Sequence, residues 1–386
     1  MKVIRITTIS GSLKVLLKGQ FKFMKANGLK IIGVASGYED LEEVKVSEGI
    51  DVVEINMSRK ITPFNDIRSL LLMYKFLKKE QPQIVHTHTP KAGIVGMLAA
   101  KLAGVPIRLH TVAGLPLMEA SGGKRKLLDF VEKVTYACAT KVYPNSKGLH
   151  DFILEEGYTS QDKLNVIGNG SSNGIDTSFF AKENIPAEHQ DQLKKELQIH
   201  ANDFVFVFVG RLVGDKGINE LVEAFSKFKT QNSKLLLVGP LESDLDPLLP
   251  ETLKEIETNQ NIISVGFQKD VRPYFVISNA LVFPSYREGF PNVVMQAGAM
   301  ELPCIVSNIN GCNEIVVEGE NGTIIPVKDA EAITVAMQKL MEDKDYYLSL
   351  KNNARPMIQA RYEQSVVWNA LLDEYNMLIK KLDIKN

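Results

Sequence analysis

The sequence is poor in cysteine and has no long uncharged stretch. Its three cysteines, Cys138, Cys304 and Cys312, leave an odd thiol and match no metal-ligand spacing, which favours a reducing compartment. No uncharged apolar run approaches the roughly 18–20 residues that span a bilayer. The opening stretch MKVIRITTIS is a short apolar strand without the apolar core of a signal peptide. We therefore expect a cytoplasmic protein that is not integral to a membrane.

Net charge is also nearly absent, at −1, but it is unevenly distributed. Residues 1–180 hold 24 Lys and Arg against 17 Asp and Glu, whereas the remainder holds 21 against 29. This asymmetry indicates either two halves with different partners or chance variation of a solvated surface. The apolar fraction of 45% and charged fraction of 24% are those of an ordinary globular protein.

Short β-rich runs alternate with helical segments, which predicts parallel sheets covered by helices. Runs such as FVFVFVG and KLLLVG are apolar without alternation, as in strands buried on both faces. We predict an α/β fold of two Rossmann-like domains, 1–185 and 186–361, that face each other across a cleft. A terminal helix over 362–386 either packs back on the first domain or is a plain core helix. Ligands of such sheets bind beyond the carboxyl ends of the strands.

The apolar runs predict seven strands in the first domain and six in the second. The first set is Val3–Thr8, Ile31–Ala35, Val52–Ile55, Ile84–His88, Ile107–Val112, Lys141–Pro144 and Asn165–Ile167. The second set is Phe204–Gly210, Leu235–Gly239, Ile262–Gly266, Leu281–Pro284, Cys304–Ser307 and Thr323–Ile325.

Two loops that follow predicted strands carry candidate ligand-binding groups. In TTISGSLK, Gly11 lets the backbone approach a ligand, but the full G-x-G-x-x-G is lacking and a plain strand-to-helix turn fits equally well. In GRLVGDKG, Arg211 and Lys216 can converge on one anion, the arginine as a planar fork and the lysine as a point charge. This second loop predicts a phosphate site, with a solvated basic loop as the alternative.

A third loop lies in REGFPNVVMQAGAMELP, which begins at Arg287. Pro291 suits the first turn of a helix, whose unpaired N–H groups and positive end would attract a phosphate. Glu288 would be repelled by that phosphate, so we interpret it as a group that binds sugar hydroxyls. A helix-capping acid is the alternative. A nucleoside diphosphate attached to a sugar satisfies all three loops.

GRLVGDKG followed by PSYREGFPNVVMQAGAMELP resembles the family-4 retaining glycosyltransferases with the GT-B fold. IVHTHTPKAG and NGSSNGIDTSFF resemble its bacterial members that build capsule and O-antigen repeat units. The resemblance implies that Arg211 and Lys216 bind the donor diphosphate and that Glu288 holds donor-sugar hydroxyls. It also implies substrate-binding positions at Gly11, Ser12, Gly210, Gly289, Phe290, Pro291, Asn292 and Gln296.

Two residues depart from the family pattern. Glu288 is followed eight positions later by Gln296, where the family has a second glutamate, although an amide can still pair with a ribose hydroxyl. Many members carry a histidine where this chain has Ala113, and we interpret His110 as a strand residue rather than its replacement. The departing phosphate would then accept the proton of the attacking hydroxyl.

The resemblance implies retaining transfer from a UDP-hexose or UDP-N-acetylhexosamine to a polyprenyl-diphosphate-linked saccharide. Preorganised cations and helix N–H groups stabilise the leaving diphosphate, so no metal or other cofactor is expected, and no nucleic-acid partner. The alternatives are a non-catalytic nucleotide-sugar-binding subunit and a nucleotide-sugar epimerase with the same fold.

One further pattern bears on membrane contact. Residues 12–25 place apolar side chains on one helical face, among interspersed lysines: Leu13, Leu16, Leu17, Phe21 and Met24, with Lys14, Lys18, Lys22 and Lys25. Together with GGKRK at 122–126 and the basic balance of the first domain, the pattern predicts peripheral contact with an anionic membrane. The alternative is an amphipathic helix whose apolar side lies in the core.

Overall fold

The computed structural model describes residues 1–384 except 116, 118, 119, 229–231, 243 and 245. The chain divides into two compact units: unit 1 comprises Met1–Gly174 and Gln364–Asn386, and unit 2 comprises Ile175–Glu363. The division falls earlier than the sequence-based boundary at 185. Residues 175–185 belong to unit 2 because the Arg355 guanidinium donates hydrogen bonds to the carbonyl oxygens of Thr177 and Phe180, both at 2.8 Å.

Unit 1 is built on one parallel sheet. Its strands are β1 (Lys2–Ile9), β2 (Lys30–Ser36), β3 (Asp51–Glu54), β4 (Ile84–His88), β5 (Ile107–Val112) and β6 (Lys141–Pro144). The spatial order is β3-β2-β1-β4-β5-β6. Because the order reverses between β1 and β4, the loops after these two strands open the crevice where such sheets bind ligands.

The predicted strand Asn165–Ile167 is wrong. Only Leu164 pairs with Val142 of β6, in an isolated bridge, and the chain then turns at 168–170. The chain turns before a ladder longer than this single bridge forms.

Helices cover both faces of this sheet. They are α1 (Ser10–Leu16), α2 (Gln20–Ala26), α3 (Tyr38–Glu48), α4 (Pro63–Glu80), α5 (Pro90–Ala103), α6 (Gly122–Cys138) and α7 (Lys147–Glu155). Residues 12–25 thus form parts of two short helices. Their apolar side lies in the core, since Leu13, Leu17, Phe21 and Met24 are fully buried. These four side chains are therefore not available to a membrane.

Unit 2 repeats the plan of unit 1. Its strands are β7 (Phe204–Val209), β8 (Ser233–Val238), β9 (Ile262–Ser264), β10 (Ala280–Phe283), β11 (Cys304–Ser307) and β12 (Gly322–Ile325), in the spatial order β12-β11-β10-β7-β8-β9. Its helices are α8 (Ala187–Glu196), α9 (Ile218–Lys227), α10 (Pro250–Thr258), α11 (Arg272–Val276), α12 (Asn292–Ala299), α13 (Cys312–Ile315), α14 (Ala330–Glu342) and α15 (Lys344–Tyr362). The switch point here lies between β7 and β10. The predicted α/β class with two Rossmann-like halves is confirmed.

The chain ends in α16 (Gln364–Asp383), which is part of unit 1. Two buried hydrogen bonds fix it there: the Tyr375 hydroxyl lies 2.6 Å from Nδ1 of His86, and the Tyr143 hydroxyl donates to Glu374 at 2.7 Å. None of the helices formed by the described residues has the length and apolarity that a membrane crossing requires.

Candidate functional site

In unit 2, the loops after β7 and β10 meet at the switch point of the sheet. The first loop, 210–217, begins at Gly210 and ends in a 3₁₀ turn at Gly214–Lys216. Gly217 has a φ of 70°, and a Cβ there would lie 2.2 Å from the carbonyl oxygen of Pro284. Only glycine permits this contact, so the sequence brings Lys216 directly against the loop that carries Glu288.

Lys216 and Glu288 form a half-buried ion pair. The ammonium Nζ lies 2.5 Å from Oε1 of Glu288, and the side chains are 15% and 18% exposed. The Ser285 hydroxyl donates to the same oxygen at 3.1 Å. The carboxylate is thereby oriented by two donors from two loops, while its other oxygen has no hydrogen-bond partner assigned among the described residues.

Arg211 lies on the same loop but binds a different carboxylate. Its guanidinium Nη1 pairs with Oε2 of Glu242 at 2.9 Å, and the arginine side chain is 46% exposed. The structure therefore does not bring Arg211 and Lys216 onto one shared group. An exposed pair of this kind contributes little free energy, so the guanidinium can exchange Glu242 for another anion at small cost.

The turn 289–291 is held by the loop after β11. The Asn310 amide donates to the carbonyl oxygens of Glu288 and Gly289, at 3.1 and 2.6 Å. Gly311, with a φ of 75°, approaches so closely that a Cβ there would lie 2.6 Å from the Gly289 oxygen. The Phe290 ring packs on Tyr362 with centroids 5.4 Å apart. Contacts with Asn310, Gly311 and Tyr362 thus hold this turn in place.

Helix α12 follows this turn directly after Pro291. Within the described residues no side chain caps its N-terminus, and its first turn holds no acid. Glu288 is therefore not a capping residue for this helix. The first N–H groups, beginning at Asn292, are available to an anion and are reinforced by the positive end of the helix dipole. Gln296, one turn further along, is half-buried.

Sequence reasoning missed three contributors to this region: Ser285, Glu242 and Asn310. Ser285 stands inside the stretch PSYREGF two residues after β10, and Asn310 stands three residues after β11, so a search for polar residues after strand ends would have found both. Glu242 also follows its predicted strand, Leu235–Gly239, by three residues, but its partner Arg211 lies 31 residues away and cannot be inferred from that position.

Two Asp-x-Asp triplets in the sequence, at 244–246 and 343–345, are candidate ligands for a metal ion because they pair two carboxylates. The Asp246 carboxylate accepts the Asp215 N–H at 2.5 Å. The Asp343 carboxylate accepts the Tyr346 N–H at 2.9 Å and caps α15. Both acids thus bind backbone donors. Across the part of the chain that the structure describes, no group of three or more His, Cys, Asp or Glu could hold a metal ion.

In unit 1, Gly11 and Ser12 form the first turn of α1 and line a cavity of about 900 Å³ beyond β1 and β4. Thr8 and Thr89 lie at the same place, with their hydroxyls 2.7 Å apart. Thr89 has a φ of 74°, an unusual conformation for a β-branched residue. Such strained residues cluster at ligand sites. The cavity thus presents hydroxyl groups at the carboxyl edge of the sheet.

Three of the four histidines of unit 1 are structural. His86, His88 and His110 are buried, and burial lowers the pKa of each, to about 4 for His110. His110 is a β5 residue that lies 2.8 Å from the Thr87 hydroxyl, as expected from the sequence. The three rings stay neutral near pH 7 and belong to the core.

Comparisons with known proteins agree with this architecture. The family "Glycosyl transferases group 1" matches residues 189–357, and "Glycosyl transferase 4-like" matches residues 8–146. The structure of HepE from Anabaena in complex with UDP superposes with a TM-score of 0.82 at 16% identity, over 98% of this chain and 100% of that one. The fold is therefore that of the GT-B glycosyltransferases.

The sequence relatives narrow the class. The capsular polysaccharide biosynthesis glycosyltransferase CapM of Staphylococcus aureus is 33% identical over 100% of this chain and 99% of its own length. An Escherichia coli UDP-Gal:alpha-D-GlcNAc-diphosphoundecaprenol alpha-1,3-galactosyltransferase is 33% identical over 77% of this chain and 76% of its own. The chain belongs to the family-4 glycosyltransferases and is similar along its whole length to a bacterial capsule enzyme. The resemblance noted in the sequence is confirmed.

Proposed function

We propose that the enzyme transfers a hexose or N-acetylhexosamine from UDP to a polyprenyl-diphosphate-linked saccharide, with retention of the anomeric configuration and without a metal ion. The observation that carries the proposal is the half-buried Lys216–Glu288 pair beside the uncapped end of α12. The names of the E. coli relative and of the HepE complex support the donor and acceptor classes.

The donor would occupy the loops of unit 2. Its diphosphate is a dianion that needs donors in place before the sugar bond breaks. Lys216 and the first N–H groups of α12 supply fixed positive charge, and Arg211 adds a guanidinium when it leaves Glu242. As the bond lengthens, negative charge grows on the leaving oxygen, and Lys216 and the helix N–H groups would stabilise it without reorganisation. This arrangement supplies the charge that a divalent ion supplies in other transferases.

Glu288 would bind the sugar rather than the phosphate. Its carboxylate is held on one oxygen by Lys216 and Ser285, which leaves acceptor capacity for two or more sugar hydroxyls. The ion pair therefore holds two groups at a fixed distance from each other. The Glu288 carboxylate would accept hydrogen bonds from sugar hydroxyls, and the Lys216 ammonium would donate to phosphate oxygens. Removal of either partner would leave the other as a half-buried unpaired charge.

The acceptor would bind unit 1 at the cavity of Gly11 and Ser12, and the protein would work at the inner face of the cytoplasmic membrane. The apolar side chains of residues 12–25 are buried and cannot contact a membrane, but those of α4 can. Along one face of α4, Phe64, Ile67 and Leu71 are 90%, 57% and 55% exposed. Lysines 75, 78 and 79 follow on the same helix. An exposed apolar stripe that continues into a basic segment is typical of interfacial helices.

Two reactions distinguish this proposal from its alternatives. The protein is incubated in EDTA with a UDP-sugar alone and with the same donor plus a lipid-diphosphate-linked saccharide. We expect UDP release that depends on the acceptor, together with an extended lipid-linked product. Conversion of the donor sugar without acceptor would identify an epimerase, and UDP-sugar binding with no turnover would identify a binding subunit.

A matched pair of variants links the reaction to the site. Lys216→Ala should lose turnover, whereas Lys227→Ala, an exposed lysine paired with Glu223 on α9, should not. Equal rates in the two variants would remove the assignment of Lys216 to the diphosphate.

A further inference from the structure

An apolar groove lies on unit 1, outside the cavity of Gly11 and Ser12. It has a volume of about 300 Å³. Its walls come from the three helices α4, α5 and α6, and their apolar side chains include Ile67, Leu70, Ile94, Leu98, Leu127 and Val131. Ile67 and Leu127 are 57% and 44% exposed, although they flank a preformed depression. A folded protein seldom leaves such a surface open unless it binds an apolar ligand.

The groove runs into the larger cavity through a cationic mouth. Arg59 and Lys91 line both spaces, and Lys60 and Lys124 line the cavity side. Lys91 is held 2.5 Å from Asp66. Arg59, Lys60 and Lys124 are exposed, and the described residues include no ion-pair partner for these three. The mouth therefore carries a local excess of positive charge.

Three kinds of chemical group are arranged in order along this surface. Hydroxyl groups lie at Thr8, Ser12 and Thr89 in the cavity, cations lie at the mouth, and apolar side chains line the groove. A lipid-diphosphate saccharide has the same three parts in the same order: sugar, diphosphate and isoprenoid. We propose that the groove binds the isoprenoid units next to the diphosphate of the acceptor, and that the cations at the mouth bind the diphosphate. The identity of the acceptor rests on the proposed function.

The surroundings of the groove favour a ligand that enters from a membrane. Phe64 of α4 and Phe130 of α6 are 90% and 64% exposed on two of the helices that form its walls. Both rings can enter the headgroup region of a bilayer, where aromatic side chains are favourable. A long isoprenoid chain could then remain largely in the bilayer while its first units lie in the groove.

The binding test uses the full chain, saturated with UDP so that the donor loops are occupied. Farnesyl diphosphate, below its micelle concentration, is titrated by calorimetry, with inorganic diphosphate and farnesol as partial ligands. We expect farnesyl diphosphate to bind more tightly than either part. Equal affinity for farnesyl diphosphate and inorganic diphosphate would refute the claim that the groove binds the isoprenoid. Equal affinity for farnesyl diphosphate and farnesol would refute the claim that the cations of the mouth bind the diphosphate.

Two variants of similar exposure locate the isoprenoid. Ile67→Asp places a carboxylate on the groove wall and should weaken farnesyl diphosphate binding by about tenfold, equivalent to losing about two buried methylene groups. Leu102→Asp, at a 59% exposed position of α5 outside the groove, should bind like the wild type. Equal affinities in the two variants would contradict the proposal.

The charge of the mouth is tested in the same way. Arg59→Glu with Lys124→Glu should weaken both farnesyl diphosphate and inorganic diphosphate. Lys30→Glu with Lys101→Glu, at two exposed lysines of unit 1 that line neither the groove nor the cavity, should weaken neither. Every one of these experiments measures a binding affinity, so its result does not depend on sugar transfer. Normal binding without sugar transfer would refute the proposed function alone, and transfer without this binding pattern would refute the groove alone.

Discussion

Mild acid should destabilise unit 1, because three histidines are buried in a neutral form. His86, His88 and His110 lie within the sheet, and burial lowers the pKa of each below its usual value. Arg5 donates to Nε2 of His88 at 3.1 Å, which further opposes a positive charge on that ring. In the unfolded chain the same rings take up protons near pH 6.5.

The sign follows from which state binds the proton. Between pH 7 and 5.5 the unfolded chain gains protons on these histidines and the folded chain does not, so folding stability falls as the pH falls. The loss is about 1 kcal/mol for each ring over this interval, or roughly 3–4 kcal/mol for three.

Glu132 of α6 acts in the opposite direction. It is buried, and burial raises the pKa of its carboxyl to about 7. Over the same interval the folded state gains a proton there and the unfolded state does not, which returns roughly 1.5 kcal/mol. The expected net loss is about 2 kcal/mol. Replacement by glutamine removes this compensation, so Glu132→Gln should lose roughly 3–4 kcal/mol between the same two pH values.

The only tryptophan provides the assay. Trp368 lies on α16, and its indole N–H donates to Asn173 at 2.7 Å, so its fluorescence reports on unit 1. Urea unfolding at pH 7 and 5.5, for the wild type and Glu132→Gln, gives the four free energies of unfolding. The reasoning is refuted if the wild type is as stable at pH 5.5 as at pH 7, or if Glu132→Gln shows no steeper pH dependence than the wild type.

Three further predictions concern the proposed sites. Lys216→Ala should lower kcat by roughly 10²–10³ in a UDP-release assay, as loss of one preorganised donor does; a near-normal kcat would contradict its role. Gln296→Glu should tighten UDP binding about fivefold and Gln296→Ala should loosen it similarly, with kcat much less affected; calorimetry that finds three equal affinities would place Gln296 outside the site. Phe64→Ser with Leu71→Ser should reduce cosedimentation with anionic vesicles, whereas the exposed Val46→Ser should not; equal binding by both would remove α4 from the membrane contact.

The sheets were predictable because their strands are buried on both faces. The run from Phe204 to Val209 is apolar throughout and forms a central strand of unit 2, where Val205 to Phe208 are fully buried. The positions of the motif loops were also predictable, since each loop directly follows a predicted strand. Both signals are local in the chain.

The features that could not be predicted from the sequence depend on contacts between residues that are distant in the chain. Periodicity placed the apolar residues of 12–25 on one face but could not show that the core covers it. The partners of Arg211 and Lys216 lie 31 and 72 residues away, so no spacing rule reveals that the two cations hold separate carboxylates. The groove on unit 1 forms between three successive helices, and the motifs at the start of two of them, IVHTHTPKAG and GGKRK, do not reveal how these helices pack around it.

The most direct test of the proposed donor site is a crystal structure of the enzyme with an unreactive UDP-sugar analogue. We predict that Lys216 and Arg211 lie about 3 Å from diphosphate oxygens and that Glu288 accepts hydrogen bonds from sugar hydroxyls. The N–H of Asn292 should point at a phosphate. A nucleotide bound away from these loops, with the Lys216–Glu288 pair closed and in contact with no part of the ligand, would contradict it.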